Sequence, residues 1–142
     1  MIAAAVRATI APNALGTVTM VPIPPSKAKT DPEYDPRMAI IAKTVVPDTR
    51  ESIETVCSRQ PLHLSDQRMR PEELFATLRL QEVPGSQEPT EIILLDDVIT
   101  TGCSFVACHR LLRDRYPTVL ISGIFAARRV IDRENPFADL GC

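Results

Sequence analysis

The 142-residue sequence has few aromatic residues and no long apolar segment. Phe, Tyr and Trp together make up 4% of it, and tryptophan is absent. No apolar run approaches the roughly 18 residues that a membrane-spanning helix needs. The apolar start, residues 1–11, contains Arg7 and ends at Pro12, so it lacks the order of a secretory signal. We expect a short helix there, a cytoplasmic location and no membrane partner.

An excess of one charge and metal-binding cysteine patterns are also missing. Sixteen Lys and Arg residues oppose eighteen Asp and Glu residues, a net charge of −2, so binding to nucleic acid is not indicated. The four cysteines form no CxxC pair and lack zinc-like histidine spacing, which favours reduced thiols. The glycine-rich motifs of P-loop hydrolases and dinucleotide-binding proteins, and the GxSxG motif of serine hydrolases, are absent too.

The length and the ordinary hydrophobic content, 44%, suit one domain over residues 1–142. Apolar runs between turn residues predict strands around residues 18–21, 92–95 and 119–125. Helical spacing of apolar residues predicts helices that begin near residues 36, 48, 71 and 104. The polar stretch 58–70 is typical of an exposed loop.

The last two predicted strands and the helix between them form a βαβ unit. Residues 92–95 are all apolar, which is typical of a central strand buried on both faces of a parallel sheet. Helices cover both faces of such a sheet, and ligands bind at the carboxyl ends of its strands. The sequence therefore predicts an α/β fold with three layers, α/β/α, around a mainly parallel sheet.

Two carboxylates and a hydroxyl-rich turn follow the strand at residues 92–95. Asp96 and Asp97 come first, and a tight turn at residues 100–102 leads into a helix whose first turn contains Ser104. The unpaired N–H groups and partial positive charge of a helix N-terminus bind phosphate. Carboxylates accept hydrogen bonds from the vicinal hydroxyls of a sugar. The segment therefore predicts a site for a ribose 5-phosphate.

In this segment the chain resembles the type I phosphoribosyltransferases. Their signature is an apolar run, two acids, an apolar pair, Thr-Thr-Gly and a hydroxyl residue, and residues 92–104 match it at every position. In that family the segment binds 5-phosphoribosyl-1-pyrophosphate (PRPP). The resemblance implies that Asp96 and Asp97 are catalytic and hold the ribose hydroxyls. It implies that the ribose 5-phosphate is bound by Val98, Ile99, Thr100, Thr101, Gly102, Cys103 and Ser104.

The resemblance extends to the proline-rich exit from the first strand, residues 21–27, which is similar to that of ComF-like phosphoribosyltransferase-like proteins. It implies that pyrophosphate is bound by Pro25, Ser26 and Lys27, although a solvated turn is the alternative. Residues 58–70 lie where the family has a mobile loop, and the stretch after the last strand lies where the family contacts its acceptor. The candidates there are Arg59, His63, Arg68 and Arg128, and a surface role is the alternative for each.

The activity that the resemblance implies is transfer of a 5-phosphoribosyl group to a nitrogen acceptor, with release of pyrophosphate. Mg²⁺ would be held mainly by the substrate, with Asp96 as a candidate ligand. The alternative is a non-catalytic PRPP or nucleotide sensor, or a ComF-like accessory protein in nucleic-acid metabolism, on the same fold.

Two departures from the family bear on the acceptor. Neither terminal segment has room for a full hood, the base-recognition subdomain, so we expect the hood to be reduced or missing. Either a homodimer partner then completes the site, or the acceptor is small or absent. Thr100 also stands where some 6-oxopurine salvage enzymes have a carboxylate, which weakens that substrate assignment.

Overall fold

The structure, a computed structural model, describes residues 2–59, 69–99 and 101–128. The helices in these residues are α1 (Ile2–Thr9), α2 (Arg37–Val45), α3 (Pro71–Ala76) and α4 (Cys103–Arg115). The strands are β1 (Thr19–Pro22), β2 (Ile53–Thr55), β3 (Leu78–Leu80), β4 (Glu91–Ile99) and β5 (Leu120–Arg128). Within this part of the chain, no helix is long and apolar enough to cross a membrane.

The main sheet is parallel and has β4 at its centre, in the order β1-β4-β5. Thr19 of β1 lies opposite Ile92 of β4, and Glu91 lies opposite Leu120 of β5. β2 and β3 form a separate two-stranded antiparallel sheet. The prediction of an α/β protein with a mainly parallel sheet is confirmed.

The apolar run of β4 supplies two cores, one on each face of the sheet. Ile92 and Leu94 pack in a core that includes residues of α3, α4 and the small sheet. Ile93 and Leu95 pack in a second core with residues of α1 and α2. Successive side chains of a strand point to opposite faces, so a run of four apolar residues buries both. Helices therefore lie on both sides of the sheet, as a three-layer arrangement requires.

The helix predicted from residue 48 is wrong, because that segment leads into β2. The Asp48 carboxylate accepts hydrogen bonds from the Thr19 hydroxyl at 2.6 Å and from Arg50 Nε at 2.9 Å. It is therefore not available to cap a helix. Ile53 and Thr55 are buried and lie opposite Leu80 and Leu78 of β3.

The other predicted helices and strands agree with the structure except at some ends. Of the predicted exposed loop 58–70, residues 60–68 lie outside the described residues, and Arg59 is partly buried. The apolar N-terminal segment forms α1, with Val6 buried beneath it. The helix from Pro71 ends at Ala76, earlier than predicted, because Leu78 belongs to β3. The strand at residues 92–95 extends to Ile99.

Candidate functional site

The acidic pair lies inside β4 rather than after it. Pro22, the last residue of β1, lies opposite Leu95, so β1 ends where the pair begins. On the other side of β4 the ladder continues, with Asp96 opposite Phe125 of β5. Alternation along the strand directs Asp96 toward the α4 face of the sheet and Asp97 toward the α2 face. The two carboxylates therefore begin on opposite sides of the carboxyl end of the central strand.

Asp96 is partly buried and has an unusual protonation equilibrium. Burial raises the pKa of its carboxyl to about 7, although the hydrogen bond from the Asp97 N–H, at 2.8 Å, acts in the other direction. The negative charge of Asp97 adds to the rise, and the positive charge of Arg59 opposes it. Asp96 is therefore a carboxyl that can gain or lose a proton close to neutral pH.

Arg59 is a partly buried cation within electrostatic range of Asp96. Burial lowers the pKa of its guanidinium, and attraction to Asp96 works against that change. Its Nε is buried and has no hydrogen-bond partner among the described residues. The structure thus brings one predicted loop cation to the acidic pair. His63 and Arg68, the other two loop candidates, lie outside the described residues.

Asp97 is neutralised by a residue that the sequence analysis did not identify. Its Oδ2 accepts a hydrogen bond from Arg37 Nη2 at 3.0 Å, and its Oδ1 accepts one from the Val98 N–H at 2.7 Å. Arg37 also pairs with Asp35 at 3.3 Å. No motif marks Arg37, and its only sequence signal is its place at the start of α2, directly after Pro36.

The turn into α4 has the backbone geometry that its glycine permits. Gly102 is the residue before the helix and has φ +84°, in the left-handed region that other residues rarely adopt. Its carbonyl accepts the Val106 N–H at 2.9 Å, which starts the helix. No acidic residue lies in the first turn of α4. The Thr101 hydroxyl lies 3.1 Å from the Cys103 sulfur, and Thr100 is outside the described residues.

A cavity of about 210 Å³ connects the acidic strand end with the helix start. We call it the turn cavity; its lining residues are Asp96, Val98, Ile99, 102–105 and Phe125. All of these except Phe105 and Phe125 belong to the predicted site. The two phenylalanine rings meet edge to face with 5.9 Å between their centroids. They were missed because they lie on separate elements, and only the sheet register brings Phe125 opposite Asp96.

The predicted pyrophosphate loop is tied to the segment that carries Arg59. The Pro25 carbonyl accepts the Thr55 hydroxyl at 2.7 Å, and the Ser26 carbonyl accepts the Arg59 N–H at 2.9 Å. Lys27 Nζ lies 3.3 Å from Glu33 Oε2. The two predicted regions are therefore in contact, although Lys27 itself pairs with an acid.

A second cavity, with about 360 Å³ of empty space, lies on the β1 side of β4. We call it the exit cavity, because residues 22–25, where the chain leaves β1, line it together with residues of α2 and β2. Lys27, Lys29, Tyr34, Asp35, Glu51 and Glu54 surround it. Arg128 lies elsewhere, at the end of β5, where its backbone is opposite Ile99.

The residues present are compatible with Mg²⁺ held mainly by a ligand. No cluster of three metal-ligating side chains occurs in residues 2–59, 69–99 and 101–128. Asp96 and Asp97 nevertheless supply carboxylate oxygens, and Mg²⁺ needs only one or two of these when phosphate oxygens complete its shell.

The fold and the site define an α/β protein with two cavities flanking the carboxyl end of its central parallel strand. No protein-family model matches the chain, and comparisons with curated proteins and with solved structures found no match either. Any function must therefore be argued from the residues and their geometry.

Proposed function

We propose that the protein binds PRPP and transfers its 5-phosphoribosyl group to a nitrogen acceptor, with release of pyrophosphate. The observation that carries the proposal is the turn cavity. It joins an acidic side chain, a left-handed glycine turn and the positive end of a helix at the carboxyl end of the central strand. A sugar phosphate has the matching chemistry, with an anion at one end and hydroxyl donors at the other.

The helix start suits the 5-phosphate. The Ser104 and Phe105 N–H groups lie in the first turn of α4, where no carbonyl of the same helix accepts them, and the helix dipole is positive at this end. Gly102 places no side chain over the turn, and Ser104 adds a hydroxyl at the cavity wall. Phe105 and Phe125 form an apolar wall that limits access of water. A phosphate monoester in this position would receive backbone hydrogen bonds without an arginine clamp.

Of the acidic pair, Asp96 suits the ribose ring. Asp96 lies on the turn cavity and accepts hydrogen bonds from hydroxyl groups when it is ionised. Asp97, on the other face of β4, is held in place by Arg37. Mg²⁺, when bound through substrate oxygens and a carboxylate, would neutralise charge on the departing pyrophosphate.

The cations near β4 suit the leaving group. In the proposed transfer the bond from ribose C1 to pyrophosphate breaks first, and its electron pair leaves with the pyrophosphate. Arg59 is a partly buried cation within electrostatic range of Asp96, and its positive charge would attract the departing pyrophosphate. The acceptor nitrogen then gives its lone pair to C1 and releases a proton. Positive groups already in place stabilise such charge separation without rearranging.

A second candidate function is PRPP or nucleotide sensing without transfer, including a ComF-like accessory role in nucleic-acid metabolism. The ion pair between Arg37 and Asp97 favours it, because one of the two acids already has a positively charged partner at the protein surface. A sensor needs to hold the ligand but does not need to stabilise a departing group.

The binding step is tested by thermal unfolding with and without PRPP and Mg²⁺. A ligand at a hundred times its Kd stabilises the folded state by about 2.7 kcal/mol, which raises the Tm by several degrees. We expect this rise in the parent protein and in Asp114→Asn, an exposed acid on α4. The double variant Asp96→Asn, Asp97→Asn should lose it. An equal rise in the double variant would show that the ribose assignment is wrong.

Transfer and sensing are separated by assaying pyrophosphate. The protein is incubated with PRPP, Mg²⁺ and a panel of nitrogen bases. Steady release with one base supports transfer. A thermal shift with PRPP but no release with any base supports sensing.

A further inference from the structure

The exit cavity lies where the chain leaves β1, beside the strand end that carries the acidic pair. The Ile23 N–H on its floor donates to the Leu95 carbonyl at 2.8 Å, directly before Asp96. Asp35 on its rim connects through Arg37 to Asp97, with distances of 3.3 and 3.0 Å. The proposed function makes no use of the residues around it, although Pro25 and Lys27 belong to the predicted pyrophosphate loop.

Much of the lining of the exit cavity is apolar. Ile23 is 4% exposed and Ala39 is 7% exposed, and Pro22, Pro24 and Pro25 also line the cavity. Tyr34 adds a partly buried aromatic ring at the opening, and burial raises the pKa of its hydroxyl. The cavity opens to solvent, and a ligand that binds there would lie against the proline and tyrosine rings.

Every charged residue that lines the exit cavity already has a partner of opposite charge. Lys27 pairs with Glu33 at 3.3 Å, Lys29 with Glu51 at 3.5 Å, and Asp35 with Arg37. Glu51 pairs with Lys43 as well, and Glu54 pairs with Arg79. An anionic ligand would give up its hydration here without meeting an unpaired cation. An uncharged ligand has no such cost.

We infer that the exit cavity binds the acceptor, and that it takes an uncharged heteroaromatic ring and discriminates against a ring carboxylate. The inference rests on the proposed function, because only a transferase needs an acceptor. It restricts the acceptor to neutral nitrogen bases and attributes the discrimination against anions to the ion pairs around the cavity.

The first test compares rings that differ in charge. Nicotinamide and nicotinate share one ring and differ in a neutral amide against a carboxylate, and adenine and benzimidazole extend the neutral set. Binding is followed by amide chemical shifts with ribose 5-phosphate and Mg²⁺ present, because PRPP would be consumed by the proposed transfer. We expect at least one neutral ring to bind ten times more tightly than nicotinate, with shifts at the exit cavity. Binding by none of the neutral rings, or equal binding of nicotinate, would overturn the inference.

The second test fills the cavity. Ala39→Met places a longer side chain into it from α2, and Ile40→Met is the control because Ile40 is 57% exposed and does not line it. We expect Ala39→Met to weaken the neutral ring at least tenfold and to leave the thermal shift with PRPP unchanged. Ile40→Met should change neither. If Ala39→Met does not fold, Tyr34→Ala tests the same wall from the opening, with the same expected loss.

The two proposals fail in different ways in these experiments. A parent protein that shifts with PRPP but binds no neutral ring refutes the acceptor site and leaves PRPP binding intact. A parent protein that does not shift with PRPP refutes the proposed function itself. Unchanged ring affinity in both Ala39→Met and Tyr34→Ala places the ring elsewhere and refutes the acceptor site.

The third test changes the rim charge. Glu51→Gln removes the carboxylate that Lys29 and Lys43 share, so Lys29 becomes an unpaired cation at the cavity. We expect the ratio of nicotinamide to nicotinate affinity to fall at least threefold. An unchanged ratio would show that paired charges do not set the preference.

Discussion

The turn cavity and the exit cavity flank the same strand end but differ in how their charges are compensated. Near the turn cavity, Asp96 has a pKa of about 7 and the Arg59 Nε lacks a partner among the described residues. Around the exit cavity, each charged side chain has an ion-pair partner, including the shared carboxylate of Glu51. The turn cavity therefore has charged groups nearby that lack full compensation within the described residues. The charges around the exit cavity already compensate one another.

This difference indicates that charge selects the ligand of the turn cavity and that shape selects the ligand of the exit cavity. A polar group that is buried without a partner lowers the free energy of unfolding of the protein. Such groups occur at functional sites, where a ligand supplies the missing partner. The turn cavity is therefore suited to a charged substrate. Compensated charges cannot attract an ion strongly, so the exit cavity selects by shape and by the absence of charge.

The largest expected effect is on the pH dependence of stability, through Asp96. An unfolded aspartate loses its proton near pH 4, whereas Asp96 keeps its proton to about pH 7 in the folded protein. The folded state therefore binds more protons in this interval, and its free energy of unfolding falls as the pH rises. About three pKa units correspond to ~4 kcal/mol at most. We expect Asp96→Asn to remove this part of the decline, measured by urea unfolding from pH 4 to pH 8.

The parent and the variant are compared by the slope of unfolding free energy against pH, because Asp96→Asn also removes a negative charge that interacts with Arg59. That second effect changes stability most where Asp96 is ionised, so absolute values are not compared. Asp114→Asn is the control on the exposed side of α4 and should keep the decline of the parent. If the free energy of unfolding of Asp96→Asn fell with pH as steeply as that of the parent, the Asp96 carboxyl would not be the cause of the decline.

Much of the main sheet and part of the site follow from local sequence. Residues 92–95 predict a central strand because only a strand covered on both faces buries four consecutive apolar residues. Asp96 and residues 102–104 are near one another in the chain, so a strand followed by a turn and a helix brings them together. Local order fixes this half of the site.

The rest depends on contacts between distant segments, which no short pattern records. Arg37 is 60 residues from Asp97, yet it supplies that carboxylate's ion-pair partner. Arg59 was a candidate only as one of several loop cations, because its burial follows from packing. The segment after Asp48 has helix-starting residues, but pairing with β3 and the bonds from Asp48 to Thr19 and Arg50 make it a strand instead. The exit cavity combines three such segments.

The next largest effect is expected from Gly123→Ala in β5, which should damage one cavity and spare the other. A Cβ at this position would lie 2.7 Å from Phe105 and 2.9 Å from Phe125, the two rings of the turn cavity. The rings must move, which costs roughly 1–3 kcal/mol of unfolding free energy. We expect a weaker PRPP shift and an unchanged affinity for neutral rings, measured by the same titrations.

Gly16→Ala is the matched control, because a Cβ there meets nothing within 4 Å. Gly16→Ala should change the Tm, the thermal shift with PRPP and the affinity for neutral rings much less than Gly123→Ala changes the Tm and the PRPP shift. If Gly123→Ala weakened neutral rings as much as PRPP, the two cavities would not be independent sites.

The smallest effect is expected from Glu33→Gln at the exit cavity. Lys27 Nζ lies 3.3 Å from Glu33, whose side chain is 76% exposed, so the pair is screened by water. Exposed pairs of this kind contribute less than ~1 kcal/mol, and the Tm should hardly change. The variant nevertheless leaves Lys27 as an unpaired cation on the cavity, so nicotinate should gain about twofold relative to nicotinamide, a change of roughly 0.4 kcal/mol.

The gain in relative nicotinate affinity is then compared between Glu33→Gln and Glu51→Gln. Glu51 is less exposed than Glu33 and serves two lysines, so its removal should change the preference more. If ion pairs compensate the lysine charges, the affinity for nicotinate relative to nicotinamide should be highest in Glu51→Gln. It should be lower in Glu33→Gln and lowest in the parent. A larger gain in Glu33→Gln would mean that Lys27 alone governs anions at this end of the sheet. The exit cavity would then be a phosphate-binding surface, like the turn cavity, rather than a site for an uncharged ring.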